Sequence, residues 1–178
     1  MRVILFIAMF LLAGCVDKPQ KVTPVKNFEL SRYLGTWYEI ARLDHSFERG
    51  LEQISATYGM REDGGVKVIN RGFDTKSKQW KEAEGKAYFV QDSDTGFLKV
   101  SFFEPFYGSY IIFDLDHEQY SLISGPNLSY LWILSRTPSL DEKIKQRLIQ
   151  KAKDAGFDTS RLIFVEHADT NQSASISK

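Results

Sequence analysis

Few side chains in this sequence are equipped for chemistry, and those few are scattered. There is one cysteine, Cys15, and there are three histidines, His45, His117 and His167. A lone thiol excludes an internal disulfide. The histidines are expected in loops or the tail, exposed and without the spacing of metal ligands; an axial haem ligand is the sharpest alternative for His45 or His117. Glu39 and Asp114 lie in β-prone runs, where a buried carboxylate more often partners hydrogen bonds than acts as a general base. Ser124-Gly125-Pro126 lacks the strand-turn-helix setting of a nucleophile elbow. No catalytic residue, metal or cofactor is assigned, and the chain is read as a non-enzyme. Gly35-Thr36-Trp37 stands apart for another reason. Glycine admits a close backbone approach, and the indole two residues on is either a large flat anchor or an ordinary core tryptophan at a strand start.

The elements around these residues begin with a leader. Arg2 is a short basic region, Val3 to Leu12 is an apolar run too short to span a bilayer as a mature helix, and Ala13-Gly14 offers small residues for cleavage. Residues 1–14 are therefore expected to be a cleaved signal peptide. Leu12-Ala13-Gly14-Cys15 resembles the bacterial lipobox, which implies that Cys15 is lipidated and becomes the first residue. Several acyl chains, at about 0.8 kcal/mol per buried methylene, hold a protein on a membrane where one chain would not. Val16 in place of Asp after the cysteine implies, by the same resemblance, the outer membrane of a bacterial envelope. Residues 15–26, with Pro19 and Pro24, read as the lipidated N-terminus and a short extended tether. The full chain of 178 residues is 43% hydrophobic in composition with 23 basic and 23 acidic residues, which suits one compact domain and gives no basic face for nucleic acid.

From Tyr33 onward short β-prone runs alternate with turn signals. Strands are expected over 37–43, 54–61, 66–73, 80–90, 97–103, 109–115, 120–124 and 129–136. Asp63-Gly64-Gly65 is expected to supply a tight hairpin with positive φ at its glycines. Eight strands with short connections suit an antiparallel up-and-down β-barrel, whose closure removes exposed edges. That number of strands either fills with side chains or encloses one small ligand. A single helix follows. Ser139 and Glu142 have capping-box spacing, Ile144, Leu148 and Ala152 form one apolar stripe for the outside of the barrel, and Gly156 stops it. Leu162 to Val165 is a further β-prone run, expected beside the first strand's edge. Residues 168–178 read as a flexible polar tail.

Gly35-Thr36-Trp37, Asp114-Leu115-Asp116 with Tyr120, and Arg136 before the one helix resemble, in order, the three signatures of the lipocalins. Asn27-Phe28, Arg32 to Arg42, Phe47-Glu48-Arg49-Gly50 and Tyr130 to Pro138 read like the bacterial lipocalin lipoproteins and their apolipoprotein D-like relatives. The resemblance covers Asn27 to about Val165, and residues 27–167 are taken as the lipocalin domain. It implies an eight-stranded calyx in which Trp37 closes the narrow end and Arg136 packs across it, a structural pair worth about 0.5 to 2 kcal/mol. It also implies a lipophilic ligand such as a fatty acid or lysophospholipid, bound, stored or transported in the envelope. The alternative is a ligand-free envelope protein with a packed barrel.

Hydrophobic parity offers a calyx lining: Ile54, Ala56 and Tyr58; Val66 and Val68; Ala87 and Phe89; Leu98, Val100 and Phe102; Tyr110 and Ile112; Leu122; Trp132. Ala56, Gly85 and Ala87 beside large aromatics suggest space inside. A sixteen-carbon acyl chain brings a gross transfer term of roughly 10 kcal/mol. Arg42 and Arg49 are head-group candidates beside a rim loop over 44–50, and the aromatics of Pro105-Phe106-Tyr107-Gly108 are candidates for self-association into a homodimer, for the mouth or for membrane contact.

Overall fold

The computed structural model describes residues 16–168. The leader, Cys15 and residues 169–178 lie outside the described residues. Eight antiparallel strands succeed one another: β1 (Gly35–Arg42), β2 (Leu51–Met60), β3 (Val66–Asp74), β4 (Gln79–Phe89), β5 (Phe97–Phe103), β6 (Phe106–Asp116), β7 (Tyr120–Ser124) and β8 (Leu131–Ser135). Each pairs with its neighbours in sequence, and β1 pairs with both β8 and β2, so the sheet closes into a barrel. A one-turn helix, α1 (Leu30–Tyr33), precedes the barrel; α2 (Glu142–Asp154) and a two-residue strand, β9 (Ile163–Phe164), follow it.

A meander alternates its ends. The start of β1, the end of β8 and the β2–β3, β4–β5 and β6–β7 turns form the narrow floor. The β1–β2, β3–β4, β5–β6 and β7–β8 connections surround the mouth. At the β2–β3 turn the two glycines serve different ends: only Gly64 has a positive φ, 81°, whereas a Cβ on Gly65 would come within 2.6 Å of the Tyr88 ring. β2 starts three residues earlier than its apolar pattern suggests, because Gln53 takes a φ of 51° at a register shift between Glu52 and Ser55, after which pairing with β3 resumes.

Close to the mouth β1 and β2 part. Their pairing covers only Gly35 to Tyr38; beyond it Ala41 and Arg42 pair with Phe164 and Ile163 of β9. The Val165 amide donates to the Ile40 carbonyl and the Gln53 amide to the Glu166 carbonyl, so this short segment stitches the seam.

Two apolar clusters result. One fills the lower interior around Trp37, Tyr33, Tyr58, Val66, Leu98 and Ile123. The other lies outside the wall, where Leu148 and Ala152 of α2 and Phe157 meet Ile111, Phe113, Leu122 and Ile133. The helix cap is Asp141 in place of the expected Ser139: its carboxylate accepts from the Lys143 and Ile144 amides at 2.9 and 3.1 Å, and the helix begins directly after it. Asp114 bolts α2 to the wall through Arg147 at 3.0 Å and Lys151 at 2.8 Å. Burial pushes the Asp114 carboxyl up, but these two cations hold it below its usual range.

The stretch expected to be a short extended tether is seated on the barrel. Val22 is fully buried in the outer cluster and Val16 packs on its margin. The Val25 amide donates to Ile112 and its carbonyl accepts from Gly96, while Ser109 Oγ donates to the Asp17 carbonyl.

Candidate functional site

The floor is built first by Trp37, which is completely buried. Its Nε1 donates to the Tyr33 carbonyl at 2.8 Å, tying the strand to α1. The Arg136 guanidinium lies over the indole, 3.7 Å from the ring centroid to Cζ. Its nitrogens donate to the carbonyls of Leu34 at 3.0 Å, Thr36 at 3.3 Å, His117 at 2.9 Å and Arg32. Burial pulls the Arg136 pKa down, though nothing removes its charge in the physiological range. Gly35 has a φ of 91°, and a Cβ there would sit 3.7 Å from Arg136 Nη1. The positive φ, not lack of space, is what calls for glycine.

Above the floor a chain of hydroxyls crosses the interior. Tyr110 stands 2.7 Å from both Tyr33 and Tyr58, and Tyr33 is 3.1 Å from Ser121. Burial raises all three phenols, Tyr33 to about 12, so they are neutral hydrogen-bonding groups. Around them the inward faces of the strands are apolar. Tyr58, Val66, Val68, Ala87, Leu98 and Ile112 are buried in the interior cluster, with Ala56, Phe89, Val100, Phe102, Tyr110 and Trp132 on its partly accessible margin. Ile54 is buried in neither cluster and packs by Gly72 near the mouth end of β2.

Parity fails at Leu122. It belongs to the outer cluster and Ile123 points inward, paired with Ile112. β7 is apolar on both faces because the outer cluster covers its outside, so alternation gives no sign. Gly85 leaves no room either: the Phe102 ring occupies the space, 2.8 Å from where a Cβ would be.

Arg42 is not a free head-group ligand. The bulge between Glu39 and Ala41 turns both Glu39 and Arg42 onto the inner face, opposite Leu134 and Trp132. Arg42 donates to Glu39 Oε1 at 2.8 Å and to the Glu48 carbonyl at 3.2 Å, with the Glu48 carboxyl 3.8 Å from its Nε. Its guanidinium is thus committed to two buried carboxyls. One cation cannot balance both: burial first, then the Glu39 charge, pushes Glu48 up to about 9, and burial raises Glu39 while Arg42 pulls it down. Glu48 therefore keeps its proton at neutral pH, where its oxygens lie 3.3 and 3.4 Å from Trp132 Nε1.

Nor is His45 an exposed loop residue; it is 3% exposed. It stacks on Phe47 and Tyr130 at 5.3 and 4.9 Å and tilts against Trp132 at 4.7 Å. Burial lowers its pKa to about 4, so the ring is neutral. Arg49 does remain exposed and pairs with Asp44 at 2.6 Å. It borders an outer rim cleft of about 460 Å³ shared with Leu51, Ile163 and Phe164. His117 lies by Phe28 at the floor, and His167 bonds the Glu39 carbonyl at 2.7 Å. Among the described residues no cluster of His, Cys, Asp or Glu is arranged to hold a metal.

Comparison with known proteins decides the family. A lipocalin-like domain model matches residues 28–167. The chain belongs to the lipocalin-like family. The lipocalin is 57% identical to outer membrane lipoprotein Blc of Vibrio cholerae, over 92% of this chain and 97% of that one. It is 51% identical to outer membrane lipoprotein Blc of Escherichia coli K12, over 89% and 92%, and 33% identical to rat apolipoprotein D, over 74% and 70%. The same barrel is found in insecticyanin from the tobacco hornworm, at 19% identity with a TM-score of 0.69 over 86% of this chain and 88% of that one. Lipocalins are in general binding and transport proteins for small hydrophobic molecules.

Glu39 is the buried, hydrogen-bonded carboxylate that its place in a β-prone run suggests; sequence reasoning missed the burial of His45 and Glu48 at the mouth, and the placement of Tyr33 with Ser121 inside. One signal was present: two glutamates, a histidine and an arginine within ten residues of a strand end hold more charge than a solvated turn needs.

Proposed function

We propose that this lipocalin is a lipid-anchored carrier that reversibly holds a fatty acid or lysophospholipid in the bacterial outer membrane, without catalysis. The observation that carries this reading is the state of the inner wall. Ala56, Val100, Phe102 and Trp132 face inward, pack against the interior cluster and still remain partly accessible. A filled barrel would bury them, as it buries Trp37, Tyr58 and Leu98. The acyl tail occupies this upper half of the calyx, and hydrophobic transfer supplies the affinity.

The polar head stays at the rim. Arg42 does not receive it, since its charge is met by Glu39 and an added anion beside that carboxylate is repelled. Arg49 is paired with Asp44 through its Nε and Nη2, but the pair is solvent-exposed and therefore worth little, which makes Arg49 the cation available to an anionic head. The names of the Vibrio cholerae and Escherichia coli relatives support the outer membrane as the site, and Leu12-Ala13-Gly14-Cys15 supports acylation of Cys15. Extraction and mass spectrometry of lipid from protein purified out of native membranes tests the reading. Stoichiometric acyl lipid that exchanges with added fatty acid is expected; an empty barrel that takes up none contradicts it.

A further inference from the structure

We propose that the calyx mouth faces the bilayer, docked by the aromatic tip of the β5–β6 hairpin; the inference rests on the acyl anchor at Cys15 proposed above. Two independent features meet at this end. The first is apolar exposure. Phe103 is 80% exposed and Phe106 is 76% exposed, side by side across the hairpin. Phe47, on the β1–β2 loop of the same end, is 60% exposed. Below the two phenylalanines, Tyr107 carries the Lys99 ammonium 5.2 Å from its ring, and Lys86 pairs with Glu104. Phenylalanine at the extremity with tyrosine and lysine behind it is the order in which side chains settle into a lipid interface.

The second feature is where the described chain begins. Val16 packs against the outer wall, and the Asp17 carbonyl is bonded by Ser109, three residues along β6 from Phe106. At about 3.3 Å per residue, that point lies roughly 10 Å from the tip. Cys15 is the residue before Val16, and one residue spans only about 3.8 Å. A chain free from Cys15 to Lys26 would let the barrel take any orientation. Here Val16, Asp17, Val22 and Val25 are already held by the wall. An anchor at Cys15 therefore brings the β5–β6 tip down onto the same surface, and Phe103 and Phe106 enter it. A tail can then pass from leaflet to calyx without crossing water.

The test uses the full acylated chain in phosphatidylethanolamine–phosphatidylglycerol vesicles. Once Cys15 is acylated, a cysteine introduced at Phe106→Cys, or at Glu118→Cys beside the floor, is the only free thiol and takes one fluorophore. The expected result is that the label at 106 is quenched by brominated lipid and protected from iodide, while the label at 118 shows the reverse. Adding Phe103→Ser to Phe106→Cys should shift the label toward water by roughly tenfold in population, the worth of one buried ring. Equal iodide access at 106 and 118 overturns the proposal. So does a label at 106 shielded from both quenchers in a protein of dimeric mass, which would make the tip a contact between two copies. A chain that mass spectrometry shows to be unacylated and that fails to float with vesicles also overturns it. The carrier reading is judged separately, from the acyl lipid extracted from the same preparation.

Discussion

The floor and the mouth of this barrel solve opposite problems. At the floor, Trp37 is sealed, Arg136 covers it and donates to four backbone carbonyls, and the tyrosine hydroxyls partner one another. At the mouth, large aromatics stand in solvent, two carboxyls face one guanidinium, and Arg42 Nε and His45 Nε2 are buried without hydrogen-bond partners. Satisfied polar groups make one end rigid, while unmet ones leave the other costly to keep closed. The barrel thus concentrates its stability away from the end through which a ligand must pass.

The largest loss of stability is expected at the floor. Trp37→Ala should cost about 3 to 5 kcal/mol, seen as a large fall in Tm, because the cavity it leaves is walled by Tyr33 and Arg136. At the mouth, Arg42→Met leaves the Glu39 charge buried without a partner. A loss of about 3 kcal/mol is expected at pH 7 by denaturant unfolding, shrinking as pH falls and Glu39 protonates.

Arg136→Lys is the next step down. It keeps the charge but loses the planar fork, so about 1 to 3 kcal/mol should go, with the ligand profile unchanged. Glu48→Gln sharpens the contrast instead. The folded pKa of Glu48, about 9, is above its unfolded value, so its contribution is full below the unfolded pKa and is lost as pH rises toward 9. The wild type should lose up to about 1.4 kcal/mol per pH unit across that window on this account, and Glu48→Gln should flatten the slope. Asp114→Asn, which releases two half-exposed cations of α2, should cost only about 1 kcal/mol and should do so equally with or without ligand.

What the sequence made legible follows the same division. The floor was readable because Gly35, Trp37 and Arg136 stand in the order of a known signature; taken alone Trp37 could be any core tryptophan, and Gly35 suggests a close backbone approach where the structure needs its positive φ. The strands were readable from alternation wherever one face is wet, as along β3, where Lys67 and Arg71 alternate with buried Val66 and Val68. Leu122 escaped because both faces of β7 are covered, and Gly85 misled because a glycine can mark a neighbouring ring as readily as an empty space. Glu39 and Arg42 share the inner face only through a one-residue bulge, which no local pattern announces. Burial of His45 depends on Tyr130 and Trp132, more than eighty residues away in sequence, meeting Phe47 across the mouth. Backbone seating of residues 16–26 depends likewise on Ser109 and Ile112, and polar composition alone reads as a tether.

The central claim is that stability and ligand binding reside at opposite ends of one barrel. It is tested most directly by measuring Tm and the Kd for a fluorescent sixteen-carbon fatty acid on two variants side by side. Val100→Trp fills the upper calyx, and Arg136→Lys weakens the floor. Val100→Trp is expected to lose affinity by roughly tenfold or more with Tm nearly unchanged, and Arg136→Lys to lower Tm and leave Kd within about twofold. A Val100→Trp variant that binds as before, or an Arg136→Lys variant that keeps its Tm and changes its ligand preference, would contradict it.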